Sequence, residues 1–242
     1  MKKSTIITAF ILMITYTSCA QWSGERIKGN GDNTTVTRNT SNYNGVHCAG
    51  FMNFKLVKGT EGTITMRGES NLLEYIITEV KDGELHIKVK DKVNLKPSNN
   101  SSIEITIPFD DIESVSLAGS GDLWNEDVVS SSNMRVSLAG SGDLELNIDS
   151  KDVKTSVAGS GDMTVKGTAE NLKVSIAGSG DFHGYELTSV NVEADIAGSG
   201  GAKVTCNGDL KARIAGSGDI RYKGNPKTED TKVMGSGSIM SN

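Results

Sequence analysis

Aspartates that recur at one position of a repeated motif are the residues of this sequence best placed to do chemistry. Asp122, Asp143, Asp162 and Asp181 stand 19 to 21 residues apart. If successive copies of the motif stack, their carboxylates form a row of oxygen ligands of the kind that Ca²⁺ prefers. Alternatively, each carboxylate accepts hydrogen bonds from the amides of its own turn or from the serine two residues earlier, and stays solvated. Because Gly201 interrupts the row, we favour the turn role and predict no metal site, with these four aspartates as weak candidates.

Serine and histidine, the residues of nucleophilic catalysis, are not arranged for it in the sequence. Each of the seven motif copies carries a serine between its two glycines, and seven equivalent nucleophiles would be unusual for an enzyme. A serine nucleophile also needs a base within reach. His47, His86 and His183 are scattered along the chain without the spacing of metal ligands. We therefore predict no catalytic residue, no cofactor and no enzyme.

Trp124 is the residue most suggestive of contact with a ligand. It falls at a position that holds polar residues in other motif copies, among them Glu145, Thr164 and His183. We therefore expect its indole to point outward, where it could contact a carbohydrate or a protein.

The motif that carries these residues predicts the local structure around them. Five copies read Ala-Gly-Ser-Gly-Asp, two relatives end in Gly201 and Ser238, and the first glycines are 18 to 21 residues apart. Apolar and polar residues alternate before each copy, as in Val174, Ser175 and Ile176, which predicts half-buried strands. Glycine suits the corner between two strands because a corner needs conformations that a Cβ would penalise. The predicted corner glycines are Gly119, Gly121, Gly140, Gly142, Gly159, Gly161, Gly178, Gly180, Gly198, Gly200, Gly216, Gly218, Gly235 and Gly237.

Repeats of about nineteen residues are too short for stacked pairs of helices and predict a solenoid of strands. The fold class is all-β: a right-handed parallel β-helix, with equivalent strands about 4.8 Å apart. We expect residues 113–242 to form seven Gly-Ser-Gly coils. Residues 36–112 are predicted to form irregular N-terminal coils of the same domain, 36–242, with one short helix within Asn71–Thr78.

The first residues predict export from the cytoplasm. Residues 1–19 combine two lysines with a nine-residue apolar run, too short to span a membrane, and end at Cys19. This pattern resembles a lipoprotein signal in which the Cys19 thiol is acylated, and the alternative is cleavage after Ala20. Residues 20–35 are polar and glycine-rich and predict a flexible tether. We expect an outer-membrane lipoprotein of a Gram-negative bacterium, with a soluble periplasmic or secreted protein as the alternative.

The other cysteines and the net charge limit the partners. Cys48 and Cys206 lie in different stretches of the chain, and we expect two small buried side chains rather than a disulfide. The net charge is −5 at pH 7, which argues against nucleic acid and gives no electrostatic reason to bind an anionic membrane.

Several motifs together resemble one bacterial family. They are the Ala-Gly-Ser-Gly-Asp series, the ending Gly218–Ile239, and the segment Asn71–Ile76 followed by Asp82–Leu85. Over residues 35–242 the chain resembles the family "Putative auto-transporter adhesin, head GIN domain". The resemblance implies a β-helical cell-envelope domain behind a signal or lipoprotein peptide, and it supplies no catalytic residues.

The expected function is that of a non-enzymatic envelope protein, an adhesin or a surface module that binds a ligand or serves as structure. Its partner would be an envelope protein or a glycan, with the membrane reached only through the lipid anchor; the oligomeric state is not predicted. One alternative is a polysaccharide-active enzyme, which rests on fold analogy alone. The other is a calcium-dependent binding module that uses the aspartates.

Overall fold

Alternating apolar and polar residues make strands over most of the chain. The computed structural model describes residues 24–98 and 101–242, and it is nearly all β. The predicted signal segment, residues 1–19 with Cys19, lies outside the described residues, as do residues 20–23 of the predicted tether. No helix among the described residues is long and apolar enough to cross a membrane.

From residue 113 onward each motif copy belongs to one coil of a solenoid. Successive coils pair in parallel with their motifs in register, so that Ser156 lies opposite Ser175 and Gly159 opposite Gly178. The structure is a β-solenoid of about seven turns with a spacing of about 19 residues, which confirms the predicted β-helix. The strands of this half are β10 (Ser114–Gly119), β11 (Leu123–Asn125), β12 (Val129–Gly140), β13 (Leu144–Gly159), β14 (Met163–Gly178), β15 (Phe182–Gly198), β16 (Ala202–Cys206), β17 (Asp209–Gly216), β18 (Asp219–Lys223), β19 (Thr228–Gly235) and β20 (Ser238–Ser241).

The apolar column before the corner fills the interior of the solenoid in every coil but the last, where Val233 on β19 is 39% exposed. Val157, Ile176 and Ile196 are at most 3% exposed, whereas the neighbouring Ser175 keeps partial contact with solvent. The predicted inward and outward phases are therefore correct for the coils before β19 and wrong for Val233. One hydrophobic core runs from Tyr43 to Tyr222. Cys48 and Cys206 lie in this core as free thiols, as expected.

The two glycines of each corner are needed for different reasons. Gly159 has a φ of +124°, and a Cβ there would lie 2.3 Å from the carbonyl oxygen of Gly140 in the preceding coil. Gly161 does not have a positive φ, but a Cβ there would lie 2.1 Å from the carbonyl oxygen of Gly142. The corners of adjacent coils therefore stack backbone on backbone, and any side chain would separate them.

The N-terminal half contains a coil that the motif search missed. Its strands β3 (Gly45–Gly50) and β4 (Asn53–Lys58) pair in parallel with β10 and β11, and Gly50 lies opposite Gly119. The sequence hides this coil because Gly50 is followed by Phe51 and Met52 instead of Ser-Gly. The elements of this half are β1 (Glu25–Lys28), β2 (Asn33–Asn39), β3 (Gly45–Gly50), β4 (Asn53–Lys58), β5 (Thr63–Glu69), α1 (Ser70–Leu73), β6 (Ile76–Lys81), β7 (Glu84–Val89), β8 (Val93–Lys96) and β9 (Glu104–Phe109).

Antiparallel strands close the N-terminal end of the stack. Strands β7 and β9 continue the parallel pairing beyond β3 and β4, and then β6, β5 and β2 add antiparallel pairs. The predicted helix within Asn71–Thr78 is wrong in its second half. Helix α1 ends at Leu73, because Ile76 and Ile77 pair with β7 as part of a strand.

The prediction of a flexible tether is wrong for the part that the structure describes, residues 24–35. Strand β1 pairs in parallel with β8 in a separate two-stranded sheet, and β2 pairs with β5. Ile27 packs against the core, so even this polar segment contributes an apolar contact.

Candidate functional site

The four aspartates of the motif form a hydrogen-bonded row that we call the Asp ladder, comprising Asp122, Asp143, Asp162 and Asp181. In each case Oδ1 accepts a hydrogen bond from the backbone N–H of the next aspartate, at 3.1, 3.2 and 3.0 Å. The expectation that each carboxylate is satisfied within its own turn is wrong, because the partner belongs to the next coil. The ladder therefore joins the coils and satisfies corner amides that the strand pairing leaves free.

The Asp ladder is interrupted at Gly201. The N–H of Gly201 still donates to Oδ1 of Asp181, at 2.6 Å, but Gly201 offers no carboxylate to the following coil. The row resumes at Asp219, whose Oδ1 accepts from the hydroxyl and the N–H of Ser238, at 2.6 and 2.9 Å. These two hydrogen bonds, the hydroxyl first, lower the pKa of Asp219.

The missing carboxylate opens a hollow of about 350 Å³, which we call the Gly201 hollow. Charged side chains of both signs reach it because three successive coils each contribute an outward residue after the corner. Within residues 24–98 and 101–242, Lys203 and Arg221 take part in no ion pair within 4 Å. The polar side chains that line the hollow are Asp181, His183, Ser199, Lys203, Ser217, Asp219 and Arg221.

The structure brings His183 to the Asp ladder. Ligand atoms of Asp162, Asp181 and His183 all lie within 4.8 Å of one another, the one such group among the described residues. An imidazole with two carboxylates suits a transition metal better than Ca²⁺, which takes oxygen ligands. Oδ1 of Asp162 and of Asp181 already accepts a backbone hydrogen bond, which leaves Oδ2 of each for other contacts. Aligning the coils would have revealed this proximity, which the linear spacing of the histidines hides.

Trp124 lies in the same outward column as the Gly201 hollow. The column runs from coil to coil through residues that lie opposite each other in register, from Thr106 at one end to Met240 at the other. The indole of Trp124 is half-buried between Lys55 and Glu145. The polar track between Trp124 and the hollow consists of Glu145, Thr164 and His183.

A second cluster that the sequence did not suggest joins the other two histidines. The rings of His47 and His86 are 5.2 Å apart, Nδ1 of His47 contacts the hydroxyl of Ser116, and Nε2 of His86 lies 3.9 Å from Glu84. Desolvation and the neighbouring His86 lower the pKa of His47. A serine beside a histidine is the arrangement of an acyl-transfer enzyme. Such an enzyme would also need free hydrogen-bond donors that stabilise the oxyanion. Ser116 lies in the middle of β10, whose two neighbours in the sheet take up its backbone groups, so the pair lacks such donors.

Asp162→Asn is expected to leave stability unchanged or slightly raised. Asparagine keeps an oxygen for the N–H of Asp181 and removes one of several like charges about 5 Å apart. Asp162→Ala, which removes the acceptor, should lower the free energy of unfolding by about 1 kcal/mol. Urea unfolding of the two variants beside wild type measures both effects.

Calcium should shift the melting temperature of wild type no more than a salt of equal ionic strength does. A shift of several degrees at sub-millimolar calcium, lost in Asp162→Asn, would contradict a purely hydrogen-bonding role of the ladder. It would support the calcium-dependent module instead.

Comparisons with known proteins agree with this fold. A crystal structure from Parabacteroides distasonis ATCC 8503, described as a putative lipid binding protein, is 28% identical, with a TM-score of 0.74 over 90% of this chain and 100% of that one. A putative adhesin from Bacteroides fragilis NCTC 9343 is 22% identical, with a TM-score of 0.81 over 89% and 100%. A putative adhesin from Parabacteroides merdae ATCC 43184 is 21% identical, with a TM-score of 0.71 over 90% and 100%. A comparison with curated proteins gave no match.

A family model matches most of the chain. The match covers residues 42–226, which include the coil of β3 and β4, the Asp ladder and the Gly201 hollow. The chain therefore belongs to the family described as "Putative auto-transporter adhesin, head GIN domain".

Proposed function

We propose that this chain is a non-enzymatic domain of the bacterial cell envelope that binds a glycan at the Gly201 hollow. The observation that carries the proposal is the interruption of the Asp ladder. Where Gly201 offers no side chain, a hollow lies between the coils, and charged side chains of both signs line it.

The chemistry of the lining suits a sugar. Carboxylates such as Asp181 and Asp219 accept hydrogen bonds from hydroxyls, and the guanidinium of Arg221 donates in a planar fork. The column toward Trp124 extends this surface along the solenoid, so that several units of a chain could lie on it. The adhesin family and the similar solved structures support a role in contact at the cell surface.

Gly201→Asp tests the proposal, because it places in the hollow the carboxylate that the Asp ladder lacks at this position. A Cβ at Gly201 would lie 3.2 Å from Oδ1 of Asp181 and 3.5 Å from the carbonyl oxygen of Asp219, so the coil tolerates the side chain after a small adjustment. We expect the variant to keep its melting temperature and to lose at least tenfold in affinity for glycans that wild type retains on an array of immobilised bacterial and host glycans.

Gly59→Asp is the matched control because it adds the same charge on the N-terminal half, where a Cβ has room beside Pro108. It should bind like wild type. Equal binding by Gly201→Asp and wild type, or no glycan binding by wild type at all, would contradict the proposal.

We further propose that Cys19 carries a lipid that holds the domain at the outer membrane. The support is the short apolar run that ends at Cys19 and the envelope character of the family. Metabolic labelling with a palmitate analogue should label wild type and should not label Cys19→Ser. Label retained in that variant would contradict the anchor, while cleavage after Ala20 would leave both proteins unlabelled.

A further inference from the structure

An amphipathic groove lies at the N-terminal end of the solenoid, away from the Gly201 hollow. It encloses about 680 Å³ between the corner at Gly50 and the turn that joins β7 to β8. Its apolar floor includes Phe51, Val89 and Val93, which are only partly buried although they pack against the core. Lys88, Lys90 and Lys92 line it as well. We call this feature the basic groove.

The charge around the basic groove is opposite in sign to that of the whole chain. Residues 24–28 and 88–96, which form β1, the turn and β8, contain six basic and two acidic residues, whereas the chain carries a net charge of −5. Lys88 lies 3.4 Å from Asp91. Among the described residues, Lys90 and Lys92 have no ion-pair partner within 4 Å, so their charges are available to a ligand.

Backbone hydrogen bonds fix the turn that presents these lysines. The N–H of Lys90 donates to the carbonyl oxygen of Tyr75 at 2.8 Å, and the N–H of Glu25 donates to that of Lys92 at 2.8 Å. Lys92 has a φ of +63°, in the left-handed region, which ends the turn and directs the chain into β8. The ammonium groups of Lys90 and Lys92 are therefore carried by a backbone that hydrogen bonds hold in a defined conformation.

We propose that the basic groove docks the domain on an anionic lipid bilayer. The lysines would contact lipid phosphates, and the apolar floor would take up part of the acyl region, the combination typical of interfacial binding. Gly24, the first residue that the structure describes, lines the groove, so the chain that leads back to Cys19 begins at the surface proposed to face the bilayer. Cys19 precedes Gly24 by five residues, which span at most about 18 Å. The proposal concerns the groove alone and does not depend on the anchor or on glycan binding.

Vesicle binding by the chain from Ala20 onward, which retains every described element and has no lipid, tests this. We expect it to cosediment with vesicles of phosphatidylcholine and phosphatidylglycerol, but not with phosphatidylcholine alone. Lys90→Gln with Lys92→Asn should weaken this binding about 25-fold, since each lysine near an anionic surface contributes about fivefold. Asparagine is chosen at position 92 because it tolerates a positive φ.

Two further variants separate the groove from general electrostatics. Lys151→Gln with Lys154→Gln removes the same charge from exposed positions on β13 and should lower the affinity less than threefold. Phe51→Ser, with its melting curve as a check on folding, should weaken binding at least fivefold. Equal binding to both kinds of vesicle, equal effects of the two lysine pairs, or full binding by folded Phe51→Ser would each overturn the proposal. Glycan binding by the same variants, unchanged in every case, keeps this result separate from that for the Gly201 hollow.

Discussion

Gly159→Ala is expected to lower the free energy of unfolding by about 3–5 kcal/mol, from backbone strain and overpacking together. Gly159 has a φ of +124°, where an L side chain is strained, and the added Cβ would meet the carbonyl oxygen of Gly140 at 2.3 Å. Neither cost can relax locally, since the corners of the coils on both sides stack on this one. The melting temperature should fall by about 10 °C or more.

Gly59→Ala is the control for this substitution. It removes the same conformational freedom, but its Cβ would lie 3.6 Å from Pro108, an ordinary contact, at a backbone without positive φ. It should shift the melting temperature by less than 2 °C. Similar losses in the two variants would mean that glycine at the corners is not a steric requirement.

Glu69→Gln is expected to lower the free energy of unfolding by about 2–4 kcal/mol, because buried donors lose their acceptor. The Glu69 carboxylate is fully enclosed. It accepts hydrogen bonds from the N–H of Gly31 at 2.5 Å and from the N–H and hydroxyl of Ser98 at 2.8 and 2.5 Å. An amide would turn an NH₂ group toward these donors. Thermal melting measures the loss, and faster amide exchange at Gly31 and Ser98 would locate it.

The same carboxylate predicts the response to acid. Hydrogen bonds from Ser98 and Gly31 lower the pKa of Glu69 below its ordinary value of 4.5, although burial opposes this. A carboxyl with a lowered pKa in the folded state stabilises the protein above its unfolded pKa and loses that contribution as pH falls through the folded pKa. Stability should therefore decline below about pH 4.5, more steeply in wild type than in Glu69→Gln. Parallel declines would contradict this role.

Repetition made the regular half predictable from sequence, and its absence hid the other half. The alternation around Ile176 gives the phase of the strand directly, and the constant spacing gives the stacking. The coil at Gly50 lacks the Ser-Gly continuation and lies 69 residues from its neighbour Gly119, so no periodicity points to it. The helix prediction failed because apolar spacing cannot distinguish one helical turn followed by a strand from a longer helix.

The candidate site was only partly visible for similar reasons. The gap at Gly201 could be read from the aligned motifs, and so could the closeness of His183 to Asp181. The hydrogen bonds of the Asp ladder could not be predicted from the aligned motifs. The spacing predicts which residues stack, but it does not predict whether a carboxylate accepts a hydrogen bond from its own coil or from the next one. No sequence signal points to Glu69, since its hydrogen-bond donors belong to Gly31 and Ser98, which are far from it along the chain.

The sequence separation between Gly50 and Gly119 also determines which parts of the chain fold first. Most coil junctions join residues about 19 apart, whereas this one must close 69 residues, at an added entropic cost of only about 1 kcal/mol. Local pairings form faster, so refolding should begin among the regular coils and reach the N-terminal end last. During synthesis the order is reversed, because β3 leaves the ribosome long before β10 exists. Its edge stays unpaired until then, and this interval is when the new chain is most exposed to pairing with other chains.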